Sequence, residues 1–127
     1  MNTLYRITRL FKDREETSDH AKMPELKTRY YQSMFNAVFR KASSLANDTS
    51  IITRIIRTDK ERGEILAEAK YRNHTFDVVL TMIPIEPTVT TFDILCTIKN
   101  RKADLGKNYT VITAILKEMD QKFPSSK

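Results

Sequence analysis

The chain has 127 residues, 40% of them hydrophobic and 30% charged, with a formal net charge of +6. That length and balance suit one globular domain around a single core and exclude a disordered, collagenous or disulfide-built chain. With two glycines and two histidines, the chain has no glycine-rich phosphate loop and no ligand-spaced histidine cluster, so neither cofactor nor metal is expected.

Leu4, Tyr5, Ile7, Leu10 and Phe11 recur near a period of 3.6, with Arg6, Arg9, Lys12 and Arg14 in the other positions. This pattern predicts a basic amphipathic helix over 1–14, whose Leu4, Ile7, Leu10, Phe11, Arg6 and Arg9 would meet a membrane or a partner. Residues 15–26 show no periodicity and hold Pro24, which reads as a linker before a single domain over 27–127. LKTRYY reads as a short strand. Met34, Phe35, Val38, Phe39, Ala42, Leu45 and Ala46 repeat at three and four, which predicts a helix over 33–46.

The β-branched run 51–58 predicts a strand, and TDKERG a turn in which Gly63 supplies positive φ. Ile65, Ala67, Ala69 and Tyr71 alternate with Glu64, Glu68, Lys70 and Arg72. Asn73 and His74 stand where a hairpin turn belongs. Phe76, Val78, Leu80 and Met82 alternate again until Pro84 and Pro87, which are expected to end the strand. In 89–98, Phe92, Ile94, Cys96 and Ile98 fall on one side, and Thr91, Asp93 and Thr97 on the other. Tyr109, Ile112, Ile115, Leu116, Met119 and Phe123 form the stripe of a last helix over 106–123.

Short turns between strands demand antiparallel pairing. The expected fold is therefore α+β: a two-layer sandwich with an antiparallel four- to five-stranded meander. Helices cover one face, the N-terminal amphipathic helix flanks it, and the other face stays open.

The single Cys96 permits no internal disulfide and sits in the apolar phase of ILCTI, as a buried thiol in a reducing compartment would. The first residues lack a signal core, and no apolar run is long enough to span a bilayer, so the expected location is cytoplasmic, or peripheral at a membrane through the N-terminal helix. His20 and His74 have no ligand-spaced partner. Glu68, Asp77 and Asp93 share the polar face and are the candidate carboxylates of a hydrolase-like enzyme. A solvated polar face explains them better, and no catalytic residue is assigned. The few aromatics do not interleave with cations as a single-strand binder requires, which disfavours nucleic acid.

The stretch NRKADLGKNY precedes the last helix. Asp104 suits its N-cap, with Asn108 the alternative. Lys99, Arg101, Lys102 and Lys107 are the candidates for holding an anion at the helix N-terminus. Asp104, Leu105, Gly106 and Asn108, preceded by CTIKNRK and followed by a helix, resemble the D-L-G-x-N signature of the DUF1499 domain family. The order of helix, strands and helix over about 26–123 is similar as well. The resemblance implies this architecture and no activity, since that family is one of unknown function. Asn100, Arg101 and Lys102 replace the serines and arginine that the family carries there, so any site built on those serines would be absent. The functional expectation is a non-enzymatic binding module that uses the open sheet face and the N-terminal segment. Its partner would be a protein, a second copy or an anionic membrane surface.

Overall fold

The computed structural model describes residues 14–99 and 106–126. The helix expected over 1–14 lies outside them except for Arg14, which begins a strand. In chain order the elements are β1 (Arg14–Glu16), a 3-10 turn (Pro24–Leu26), β2 (Arg29–Tyr31), α1 (Phe35–Ser43) and α2 (Leu45–Asp48). Then come β3 (Ile52–Asp59), β4 (Glu64–Tyr71), β5 (His74–Glu86), β6 (Val89–Ile98) and α3 (Lys107–Lys122).

The strands form one six-stranded antiparallel sheet in the order β1-β6-β5-β4-β3, with β2 on the same edge of β6 as β1. β3 to β6 are the expected meander. β2 is the short strand expected in LKTRYY, and β1 is the additional one that brings the count to six. Residues 15–26, read as a linker, thus belong to the domain: the Thr17 amide donates to the Ile94 carbonyl at 2.8 Å, and Met23 and Leu26 are buried. A three-residue strand is too short to show a period. The edge of β6, not local propensity, determines its conformation.

The alternation of β4, β5 and β6 sets the core. Ile65, Ala67 and Ala69, then Phe76, Val78, Leu80 and Met82, then Phe92, Ile94, Cys96 and Ile98 are all buried. They share one cluster with Val38, Phe39 and Ala42 of α1, Leu45 of α2, and Val111, Ile112, Ile115, Leu116 and Met119 of α3. Arg40 and Lys41 stand in the last turn of α1, where cations complement the helix dipole. Lys41 also ties the helices together, reaching Asp48 at 2.8 Å and Glu118 at 3.6 Å.

Three extra residues interrupt the ladders. The register shifts in β3 place Thr53 and Ile56 outside the pairing with β4, and the shift in β5 does the same to Ile85 opposite β6. Such bulged residues turn away from the regular faces. This fits the exposure of Ile56 beside the half-buried Ile55; Ile85 is exposed together with the regularly paired Ile83, where β5 runs on past β4. Pro84 does not end β5, which continues to Glu86. Pairing with β4 reaches only Thr81, so beyond it β5 is an edge strand, where a missing N–H is tolerated.

The β4–β5 turn lies one residue earlier than expected, at Arg72 and Asn73, with φ of 50° and 65°. Both signs match a type I′ hairpin turn. Arg72 is held there against Tyr71, its Nε donating to the phenol oxygen at 3.0 Å. The cap of α3 also differs from expectation. Gly106 occupies the N-cap with φ 86°, a left-handed conformation suited to glycine, in place of Asp104. Asn108 lies inside the helix and is buried, its Oδ1 accepting from the Cys96 thiol at 3.2 Å.

Gly63 has φ +68°, and a Cβ there would stand 2.1 Å from the Met82 carbonyl oxygen. Gly63→Ala should therefore lower stability by at least ~1–2 kcal/mol, the cost of a left-handed L-residue, plus the displacement of β5. A urea midpoint equal to that of the parent would contradict this contact. Cys96 is 0% exposed. It should react with a thiol reagent far more slowly in the native protein than in denaturant, and equal rates would contradict the burial.

Candidate functional site

On the side of the sheet away from the core cluster, the register lines side chains into rows across the strands. Arg54, Glu68, Asp77, Thr97 and Arg14 form one row. Arg57, Leu66, Val79, Leu95 and Glu16 form the next. Asp59, Glu64, Thr81 and Asp93 form the third. A charged face is thus crossed by an apolar band of Leu66, Val79 and Leu95, all partly exposed.

In the first row Glu68 and Asp77 stand directly opposite each other, an unfavourable placement for like charges. Lys99 compensates it. Its Nζ lies 3.1 Å from Glu68 Oε2 and 3.3 Å from Asp77 Oδ1, and Arg54 approaches Glu68 from β3 at 3.4 Å. The hydrogen bond from Lys99, followed by that from Arg54, holds the Glu68 carboxyl below its ordinary range despite some desolvation. Glu68 in turn, and Asp77 after it, raise Lys99 above its ordinary range.

The third row repeats the problem without the remedy. Asp59 and Glu64 are also directly opposite, yet neither has an ion-pair partner among the described residues. They border a hollow of about 290 Å³ lined by Arg57, Asp59, Glu64, Ile65, Leu66 and Val79. The lining thus carries two carboxylates, the Arg57 guanidinium and aliphatic carbon.

Of the residues singled out in the sequence, Asp93 is fully engaged in holding the edge of the sheet. Its Oδ1 accepts the Thr17 and Thr28 hydroxyls, each at 2.7 Å. Asp77 pairs with Thr97, four residues along β6 from Asp93, or about 13 Å at the rise of a strand. Glu68, Asp77 and Asp93 are therefore not gathered as an acid–base set. Lys99 is occupied by two carboxylates, and Lys107 opens α3. Arg101, Lys102, Asp104 and Leu105 lie outside the described residues, as do Leu4, Arg6, Ile7, Arg9, Leu10 and Phe11.

Two larger hollows flank β2, of about 660 and 510 Å³. Their polar groups largely satisfy one another. Tyr31 donates to Asp120 Oδ1 at 2.7 Å, Arg29 Nε approaches the same carboxylate at 3.2 Å, and Tyr30 donates to Asp19 at 2.8 Å. Burial, and then the bond to Asp120, pushes the Tyr31 phenol far above its ordinary range. These groups join β2 to the end of α3 as structure. The band and the Asp59–Glu64 pair went unnoticed in the sequence, because only the β3–β4–β5–β6 register brings those residues side by side.

No family model and no curated protein matches the chain. Among the described residues no helix is long and apolar enough to cross a membrane.

The Glu68–Lys99–Asp77 ladder has a definite pH dependence. A depressed carboxyl stabilises the fold above the ordinary carboxylate range, and that contribution is lost as the pH falls through its folded value. The raised Lys99 contributes below the ordinary lysine range and loses its contribution as the pH rises through its folded value. Glu68→Gln should thus lower the urea midpoint near pH ~7, and the two proteins should converge as the pH falls below the ordinary carboxylate range and wild-type Glu68 protonates. A gap independent of pH would show that the ladder's charges do not matter.

Proposed function

We propose that the protein is a non-enzymatic binding module, a two-layer α+β sandwich whose open sheet face is its working surface. The apolar band carries this reading. Leu66 is paired with Val79 and Val79 with Leu95, so three apolar side chains stand side by side on consecutive strands. The rows on either side of the band are charged or hydroxylic, and the exposed Ile83 stands on the same face beyond the third row. Scattered surface leucines require no explanation. A contiguous band framed by charges has the anatomy of an interface centre with a polar rim. The separation of Asp93 from Glu68 and Asp77, and the bridging of the latter two by Lys99, give the enzymatic reading less support.

The test compares Leu66→Lys and Val79→Lys with Lys117→Glu, an exposed position on α3. All three should melt close to the parent, since partly exposed side chains change stability by roughly 0.5 kcal/mol. In quantitative affinity capture, partners retained by the parent and by Lys117→Glu should be lost by both face variants. The same set of partners on all four proteins would count against the face.

A further inference from the structure

We infer that the open face packs against the same face of a second copy of this chain, about a two-fold axis that runs along β5 through Val79. The inference rests on reading this face as a binding surface, and it commits that surface to one partner.

The middle row of the face carries it. Read across the sheet from β3 to β1, its side chains are Arg57, Leu66, Val79, Leu95 and Glu16. That is a cation, three aliphatic groups and an anion, an order that is its own complement when reversed. A two-fold contact sets one patch against itself, so a second copy presents the reversed order by symmetry. With the axis along β5, Val79 meets Val79, Leu66 meets Leu95 of the second copy, and Arg57 meets its Glu16, twice over. Arg57 and Glu16 are both exposed, and neither has an ion-pair partner among the described residues. The same axis brings Asp77 toward Asp77, Arg54 toward Arg14 and Glu64 toward Asp93. Each of these like pairs has a member already engaged within its own chain: Asp77 by Lys99, Arg54 by Glu68, and Asp93 by the Thr17 and Thr28 hydroxyls. They weaken the contact without forbidding it. Face-packed sheets cross at about 30°, and Arg57 lies two strand spacings, about 10 Å, from the axis, so the angle moves it about 5 Å from the facing Glu16, within reach of an arginine side chain. The three rows cover roughly 19 Å across the strands and 14 Å along them. That footprint is small beside the ~800 Å² that each partner buries in a standard interface. The dimer is therefore weak and reversible.

The experiment is sedimentation equilibrium of the full chain from micromolar to millimolar concentration. The parent should pass from monomer to dimer over that range. Arg57→Glu and Glu16→Arg should each raise the dimer dissociation constant about tenfold or more, because two attractive contacts become repulsive. Mixed in equal amounts, the two variants should associate as tightly as the parent, since each then meets the opposite charge at both ends of the row. Val79→Lys, which sets cation on cation at the axis, should abolish the dimer. All three variants should melt close to the parent, because the side chains they replace are at least partly exposed. A dimer that survives Val79→Lys would overturn the inference, since the contact then lies elsewhere. Weakening in the single variants without recovery in their mixture would overturn the two-fold arrangement. A parent that stays monomeric while Leu66→Lys still loses captured partners would overturn the second copy and leave the binding face standing. If capture is unchanged as well, both readings fall.

Discussion

The pairing of β5 with β6 is the constraint on which the other elements depend. It runs from Phe76 opposite Ile98 to Glu86 opposite Val89. Over Phe76–Met82 and Phe92–Ile98 both strands keep one dry face. A slip of one residue would move Phe76, Val78, Leu80, Phe92, Ile94 and Cys96 into water together, so the register is strongly held. β6 then offers three surfaces. Its inner face receives α3, with Asn108 accepting from Cys96. One edge pairs with β5, and the other carries β1 and β2 end to end.

Where β1 gives way to β2, one carboxylate joins them. Asp93 takes the hydroxyls of Thr17 and Thr28, which lie 76 and 65 residues away in sequence. Thr17 closes the joint by accepting the Ile94 amide at 2.8 Å and donating its own amide to the Ile94 carbonyl. The loop between them can leave the sheet and return because its two ends are fixed at one residue. Charge-assisted bonds of this kind are worth about 1.5–3 kcal/mol each when well formed, enough to hold strands of three residues that could not persist alone.

Much of this architecture was legible in the sequence, wherever a period is long enough to be counted. The faces of β4, β5 and β6 follow from the alternation of Ile65 to Ala69, Phe76 to Met82 and Phe92 to Ile98, because water on one side and core on the other impose a period of two. The stripe of α3 is readable for the same reason. What escaped is set by long-range or single-residue geometry. β1 depends on a distant edge, whereas β2 falls within LKTRYY, which reads as a strand. The turn at Arg72 depends on a left-handed arginine resting on Tyr71. The cap at Gly106 exploits backbone freedom, where Asp104 had the better side chain. The candidate site is legible only in part: Glu68 and Asp77 were recognisable as neighbours, while Asp59 and Glu64, which face each other across the β3–β4 turn, went unremarked, and the rest of β3 pairs through two bulges that no local pattern announces.

Those bulges have a consequence for crowded solutions. Apart from its pairing with β4, β3 has no neighbour among the described strands, and an unpaired edge can template the growth of a fibril. Thr53 and Ile56 break the even spacing of amides that an incoming straight strand would need. A two-fold related copy centred between Ile55 and Ile56 would also set Arg54 against Arg57, placing like charges opposite each other. The edge is therefore a poor seed for polymerisation, and the protein can keep an open sheet without adding strands from its own copies.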